Sequence, residues 1–107
     1  MLAGHAVYAG SKAAVEAFAR SWALELKDRR IRVNVLSPGP TATPIIKKLG
    51  VAADALPDFE RQVAQTIPLG RLGEAEELAR AAMFLLSADS TFVTGVNLAV
   101  DGGISLV

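Results

Sequence analysis

The sequence contains no cysteine and only one histidine, His5; it also has a single tyrosine, Tyr8, and a single tryptophan, Trp22. The missing cysteine excludes a disulfide framework, a thiol nucleophile and thiolate-ligated zinc. With one imidazole, no metal site is expected. Eleven basic and eleven acidic side chains cancel, so no net field draws the chain to nucleic acid or to an anionic membrane, and neither partner is expected. The longest purely apolar run, Ala81 to Leu86, falls far short of the roughly 20 residues a membrane helix needs. Residues Met1 to Gly4 carry no basic leader followed by an apolar block. The expectation is a soluble, cytoplasmic protein.

What is present suffices for a packed core. The 107 residues are 51% hydrophobic and 21% charged, close to the globular average and enough for one domain or part of one. Val15, Phe18, Ala19, Trp22 and Leu26 recur at steps of three and four, with Glu16 and Arg20 as an i,i+4 pair on another face; this predicts a helix over about Tyr8 to Lys27. Ile31, Val33 and Val35 alternate with Arg32 and Asn34 and predict a strand running to Leu36. Ser37-Pro38-Gly39-Pro40 ends it, because proline cannot donate to a ladder. From Thr41 to Gly73 periodicity is poor and a flap is expected, with its clearer helical piece near Asp58 to Gln65. Leu78, Ala79, Ala82, Leu85 and Leu86 restore helical spacing behind Glu74, Glu76 and Glu77, whose charges suit a helix start, and predict a helix over about Ala75 to Ser87. Val96, Leu98 and Val100 then alternate as a short strand before Asp101-Gly102-Gly103.

Helical crossovers between strands imply a parallel α/β arrangement. Two strands alone leave both edges unpaired. The sequence asks for more sheet than it contains.

One pair of side chains carries chemistry. In Tyr8-Ala9-Gly10-Ser11-Lys12 the four-residue spacing puts phenol and ammonium on one helix face, about 6 Å apart along the axis. An ordinary phenol titrates at about pH 10, and a neighbouring positive charge favours its phenolate form. Tyrosine and lysine fall four apart on many helices, however, so the pair alone reads more readily as a helix-start aromatic beside a solvated charge.

The order of further blocks distinguishes the two. Tyr8-Ala9-Gly10-Ser11-Lys12-Ala13-Ala14, Ile31 to Gly39, Pro68-Leu69-Gly70-Arg71-Leu72-Gly73 before Glu76-Glu77, and Phe92-Val93-Thr94-Gly95 leading to Val100-Asp101-Gly102-Gly103 follow one another as they do in classical short-chain dehydrogenases/reductases. The chain resembles the C-terminal portion of that family over essentially its whole length. The resemblance implies an α/β fold, the C-terminal part of a Rossmann-like doubly wound parallel sheet, with 1–107 a single partial domain and 41–73 its substrate-loop region. It implies hydride transfer between NAD or NADP and an alcohol or carbonyl compound. Tyr8 would be the acid/base and would also touch the cofactor, and Lys12 would favour its phenolate and bind the nicotinamide ribose. Pro38 and Gly39 would pass close to the nicotinamide, the Thr41 backbone would meet its carboxamide, and the Thr43 hydroxyl would contact the cofactor. Plain loop polarity is the competing account of Thr41 and Thr43. Ile45, Ile46, Leu49 and Leu56 would cover substrate or simply pack a helical hairpin. His5 is assigned no role.

The chain departs from the family pattern in length. Family members begin with a strand, a Gly-rich turn and a helix that hold the cofactor pyrophosphate, and the catalytic serine would lie upstream of Met1; Gly70-Arg71-Leu72-Gly73 has neither the spacing nor the setting of such a turn. The expectation is that this chain alone is not a competent dehydrogenase. The alternative is an oligomerisation or interaction fragment, since the helix bearing Tyr8 packs against its counterpart in family oligomers and an uncovered edge at Ile31 to Leu36 favours self-association. The extended nucleotide-sugar relatives share Tyr-x-x-x-Lys, but the compact tail ending in Asp101-Gly102-Gly103 favours the classical group. The choice between NAD and NADP and the identity of the substrate are not written in these residues.

Overall fold

The computed structural model describes residues 4–42 and 52–107, with Ala53 as backbone only. Thr43, Ile45, Ile46 and Leu49 lie outside the described residues. The elements run α1 (Ala6–Glu25), β1 (Val35–Pro38), β2 (Thr41–Ala42), α2 (Leu56–Gln65), β3 (Gly73–Glu74), α3 (Ala75–Leu86) and β4 (Asn97–Val100), with short 3-10 turns between them. The chain forms two compact units, Met1–Val35 with Leu85–Leu98, and Leu36–Phe84 with Ala99–Val107.

In the first unit, α1 is built from alanine and other good helix formers. It ends at Leu26, beyond which Lys27–Arg29 tightens to a 3-10 turn and Arg30 turns left-handed at φ 56°. Ala19 and Ala23 are its buried residues, and Gly95, at φ 78°, brings the 93–96 turn against Ala23. The expected apolar stripe is largely uncovered: Val15, Phe18 and Trp22 are about half exposed, and the Phe18 and Trp22 rings stack at 5.5 Å between centroids. Glu16 does not pair with Arg20; its Oε1 accepts from Asn97 Nδ2 at 2.8 Å.

Strand pairing starts at Val35, four residues later than alternation predicts, and physical chemistry explains the delay. One backbone bond crosses before Val35, from the Gly95 N–H to the Val33 carbonyl at 2.8 Å, and side chains make the other bonds there. Arg32 donates through Nη1 to the Val93 carbonyl at 3.0 Å and through Nη2 to the Leu85 and Ser87 carbonyls at 3.0 and 3.4 Å. Asn34 donates from Nδ2 to the Val93 carbonyl at 3.1 Å and accepts the Val96 N–H at 3.0 Å. A guanidinium thus satisfies the carbonyls that α3 leaves open at its C-terminus, where a cation is favoured. Buried Ser90 reinforces the same point, donating to the Leu85 and Ser87 carbonyls. Arg32→Met keeps the apolar stem and removes the charged donor from three carbonyls, each of which keeps a second donor from Asn34 or Ser90, so it should cost roughly 1–2 kcal/mol in urea unfolding. A change below about 0.5 kcal/mol, the range of ordinary surface substitutions, would contradict this account.

β1 pairs with β4. The Val35 N–H donates to the Val96 carbonyl at 2.9 Å and the Gly39 N–H to the Val100 carbonyl at 3.0 Å, both ascending, which is parallel register. In the second unit, β2 and β3 form a further parallel pair with Thr41 opposite Gly73 and Ala42 opposite Glu74. The poor periodicity of 41–73 concealed this pair, because two residues are too few to show alternation. Among apolar residues there, Ile67 is buried. No helix among the described residues is long and apolar enough to cross a membrane.

Candidate active site

Tyr8 and Lys12 sit on the first two turns of α1, and helical geometry brings them together as the spacing requires. The Lys12 Nζ lies 5.9 Å from the centroid of the Tyr8 ring. Tyr8 is 63% exposed, so the phenol faces open space. The His5 and Tyr8 rings meet in a T-shaped contact, at 6.3 Å between centroids. Ser11, between the pair in sequence, turns its hydroxyl inward to the Val7 and Tyr8 carbonyls at 2.7 and 3.0 Å and is not a competing partner for them. A phenol and an ammonium on one exposed face can exchange a proton with an oxygen and hold sugar hydroxyls.

Pro38, Gly39 and Thr41 belong to the second unit and are described there by themselves. Gly39 is placed where only glycine fits: a Cβ would stand 2.5 Å from the Asp101 Cα and 2.6 Å from its Cβ. The segment is therefore pressed directly onto the Asp101-Gly102-Gly103 turn. That turn needs its glycines too, with φ 64° at Gly102 and 92° at Gly103. Asp101 accepts the Gly103 and Ser105 N–H groups at 2.9 and 3.2 Å; bonds from Ser105 and Gly103 hold its carboxyl below the usual range. Thr41 spends its hydroxyl locally, donating to the Gly39 carbonyl at 2.8 Å, which leaves its backbone rather than its side chain to meet a ligand.

Two residues to which sequence reasoning gave no site role bond across the strand that pairs with this segment. Arg71 donates to both carboxylate oxygens of Glu77, at 2.7 and 2.9 Å, and Glu77 Oε1 also accepts the Glu74 N–H at 3.0 Å. Arg71 holds the Glu77 carboxyl down to about 2, with the Glu74 N–H adding to the effect. The signal was present: an acid three residues into a helix, reaching back to the residue before it, is half of a capping box. A cleft of about 440 Å³ in this unit is lined mainly by Pro40, Leu69, Leu78, Val100 and Leu106, with Arg71 and Glu77 beside them.

Depressed carboxyls give a pH dependence of definite sign. Glu77 is stabilising where it is charged in both states and loses that contribution as protons bind the unfolded chain first. Its contribution is therefore intact above the ordinary value of 4.5 and fades as pH falls toward about 2. Because the pair is open to solvent the effect is small: the thermal midpoint should be flat from pH 7 to 5 and decline below that, with a slightly shallower decline in Glu77→Gln. Equal slopes for both proteins would remove Glu77 from the explanation.

Residues 1–105 match the family described as Enoyl-(Acyl carrier protein) reductase. The chain is 41% identical over 104 residues to 2,5-dichloro-2,5-cyclohexadiene-1,4-diol dehydrogenase of Sphingobium indicum, covering 97% of this chain and 39% of that protein. It is 43% identical over 102 residues to 3-oxoacyl-acyl-carrier-protein reductase of Thermotoga maritima, covering 94% of this chain and 39% of that protein. Among solved structures, a small-chain dehydrogenase in complex with NADPH superposes with a TM-score of 0.83 at 36% identity, over 100% of this chain and 46% of that one. The chain thus spans about two-fifths of the length of the curated relatives it matches.

Proposed function

The chain belongs to the short-chain dehydrogenase/reductase family, as the C-terminal part of its Rossmann-like sheet, and from that membership we propose that it supplies the acid/base half of an oxidoreductase acting between NAD or NADP and an alcohol or carbonyl compound in the cytoplasm. The observation that carries the reading is the Tyr8–Lys12 pair, one helical turn apart with Nζ 5.9 Å from the ring and the phenol open. The residues fit a nicotinamide nucleoside by the chemistry of their donors: an ammonium for ribose hydroxyls, and a backbone at Pro38, Gly39 and Thr41 without a bulky side chain at its centre. When bound, that cofactor supplies or accepts the hydride. Tyr8 gives its proton to the substrate oxygen in reduction and takes it back in oxidation. Lys12 favours the negative charge left on the phenol. The Thr41 backbone meets the carboxamide, the Thr43 hydroxyl makes a further cofactor contact, and the 41–73 region sets substrate choice. Diol, ketoacyl and sugar substrates appear in the names of the relatives, and the class acted on here is left at alcohol or carbonyl.

Alone, the 107 residues do not turn over, because the segments that cradle pyrophosphate and supply the catalytic serine are outside them. Purified chain assayed with NADH and NADPH over a panel of ketones should be silent. The chain joined to the nucleotide-binding half of a relative such as the Thermotoga maritima reductase should be active. Turnover by the 107 residues at the rate of the joined form would refute the first statement, and an inactive but folded, cofactor-binding joined form the second.

A second reading has its own observation. Val15, Phe18 and Trp22 form an exposed apolar stripe on α1, of the kind that marks an interaction surface. Self-association through α1, as a homo-oligomer, covers it. Light scattering at micromolar concentration should show an oligomer; a folded, stable monomer would count against this.

A further inference from the structure

We infer that Arg71 and Glu77 are positioning residues for the Pro38–Ala42 segment, an inference that rests on the reading above for what that segment binds. β2 and β3 are two residues each, and a parallel pair of that length does not hold its own register. Something outside the ladder must fix it.

The fixing is done from the β3 side. Gly73 N–H donates to the Pro40 carbonyl at 3.0 Å, in register with Thr41 opposite Gly73. Gly73 and Glu74 are in turn held by what flanks them: Glu77 takes the Glu74 N–H at 3.0 Å, and the Arg71 fork grips Glu77 while its Nη1 also donates to the Leu72 carbonyl at 3.1 Å. Arginine and glutamate close residues 71–77 into a ring of bonds with β3 inside it. A bidentate pair fixes direction as well as distance. The Glu77 carboxylate stays charged well below neutral pH, so the ring is closed throughout the range in which nicotinamide enzymes are assayed.

An exposed ion pair contributes little to global stability, and both partners are partly exposed. A merely structural role therefore predicts small effects on everything. A positioning role predicts a split: little change in unfolding, but a loosened Pro38–Ala42 segment and weaker nicotinamide binding.

The test uses the whole protein that carries this chain, with Arg71→Ala, Glu77→Gln and the double variant. The expected results are exchange of the Gly73 amide at least about fivefold faster, KM for NAD(P)H raised about five- to tenfold with kcat within about twofold, and a double variant no worse than either single one, as a unit requires. Arg71→Lys, which keeps charge but not the fork, should recover part of the KM. KM within twofold of wild type in both single variants overturns the inference, whether or not Gly73 exchanges faster. If the wild-type protein does not bind NAD(P)H, the functional reading has failed instead; unchanged Gly73 exchange in Glu77→Gln then shows separately that the ring fixes nothing.

Discussion

Replacing Tyr8 with phenylalanine should lower kcat for carbonyl reduction by about 10²–10⁴-fold in the chain joined to a nucleotide-binding half, the range in which general acid–base catalysis operates. Phenylalanine keeps the ring and its edge contact with His5 and removes only the oxygen. Cofactor binding should change by less than about threefold, because the ribose contact belongs to Lys12. Stability should hardly move either, since a side chain 63% exposed contributes little packing. The expected signature is thus a loss confined to the chemical step, which is how an interaction made only in the transition state appears in kinetics. Loss of NAD(P)H affinity without loss of kcat would reassign Tyr8 to binding.

The second large effect is expected at Gly39. Its added Cβ in Gly39→Ala would stand 2.5 Å from the Asp101 Cα, and because the obstacle is backbone, no rotamer change relieves it. β1 and the Asp101 turn must part, breaking the Gly39 N–H bond to the Val100 carbonyl. Overpacking of this kind costs about 3 kcal/mol, and NAD(P)H affinity should fall at least about tenfold, since segment 38–42 carries the proposed nicotinamide contacts. The contrast is Gly10→Ala, where nothing lies within 4 Å of the new Cβ and the helix should gain about 1 kcal/mol. Opposite signs from the same substitution test whether space, rather than glycine as such, governs these positions. Urea unfolding of the two variants decides it.

Much of this architecture was legible in the residues because it is local. The one-turn spacing of Tyr8 and Lys12 needs only a helix to become a contact, and α1 and α3 follow from apolar steps of three and four. Ser37-Pro38-Gly39-Pro40 reads as a strand end, and β1 does end there, at Pro38. Non-local partners were the obscure part. Alternation from Ile31 to Val35 reads as a strand, but Arg32 and Asn34 answer to carbonyls and an amide sixty residues away, and pairing begins only after them. Val15, Phe18 and Trp22 have the period of a core face, yet periodicity says that a face wants covering and not what covers it. β2 and β3 are too short for any pattern. The Arg71–Glu77 ring was half visible as a capping-box acid, while its arginine lies in a turn where no period points at it.

Hydride chemistry can be read directly by following a labelled atom. With NAD(P)H carrying deuterium at the transferring position, the joined chain and a ketone should give an alcohol with one deuterium at the former carbonyl carbon, and Tyr8→Phe should reduce its formation by about 10²-fold or more. Alcohol formed without the label, or formed equally fast by Tyr8→Phe, would contradict the assignment of the Tyr8–Lys12 pair to proton exchange beside a nicotinamide.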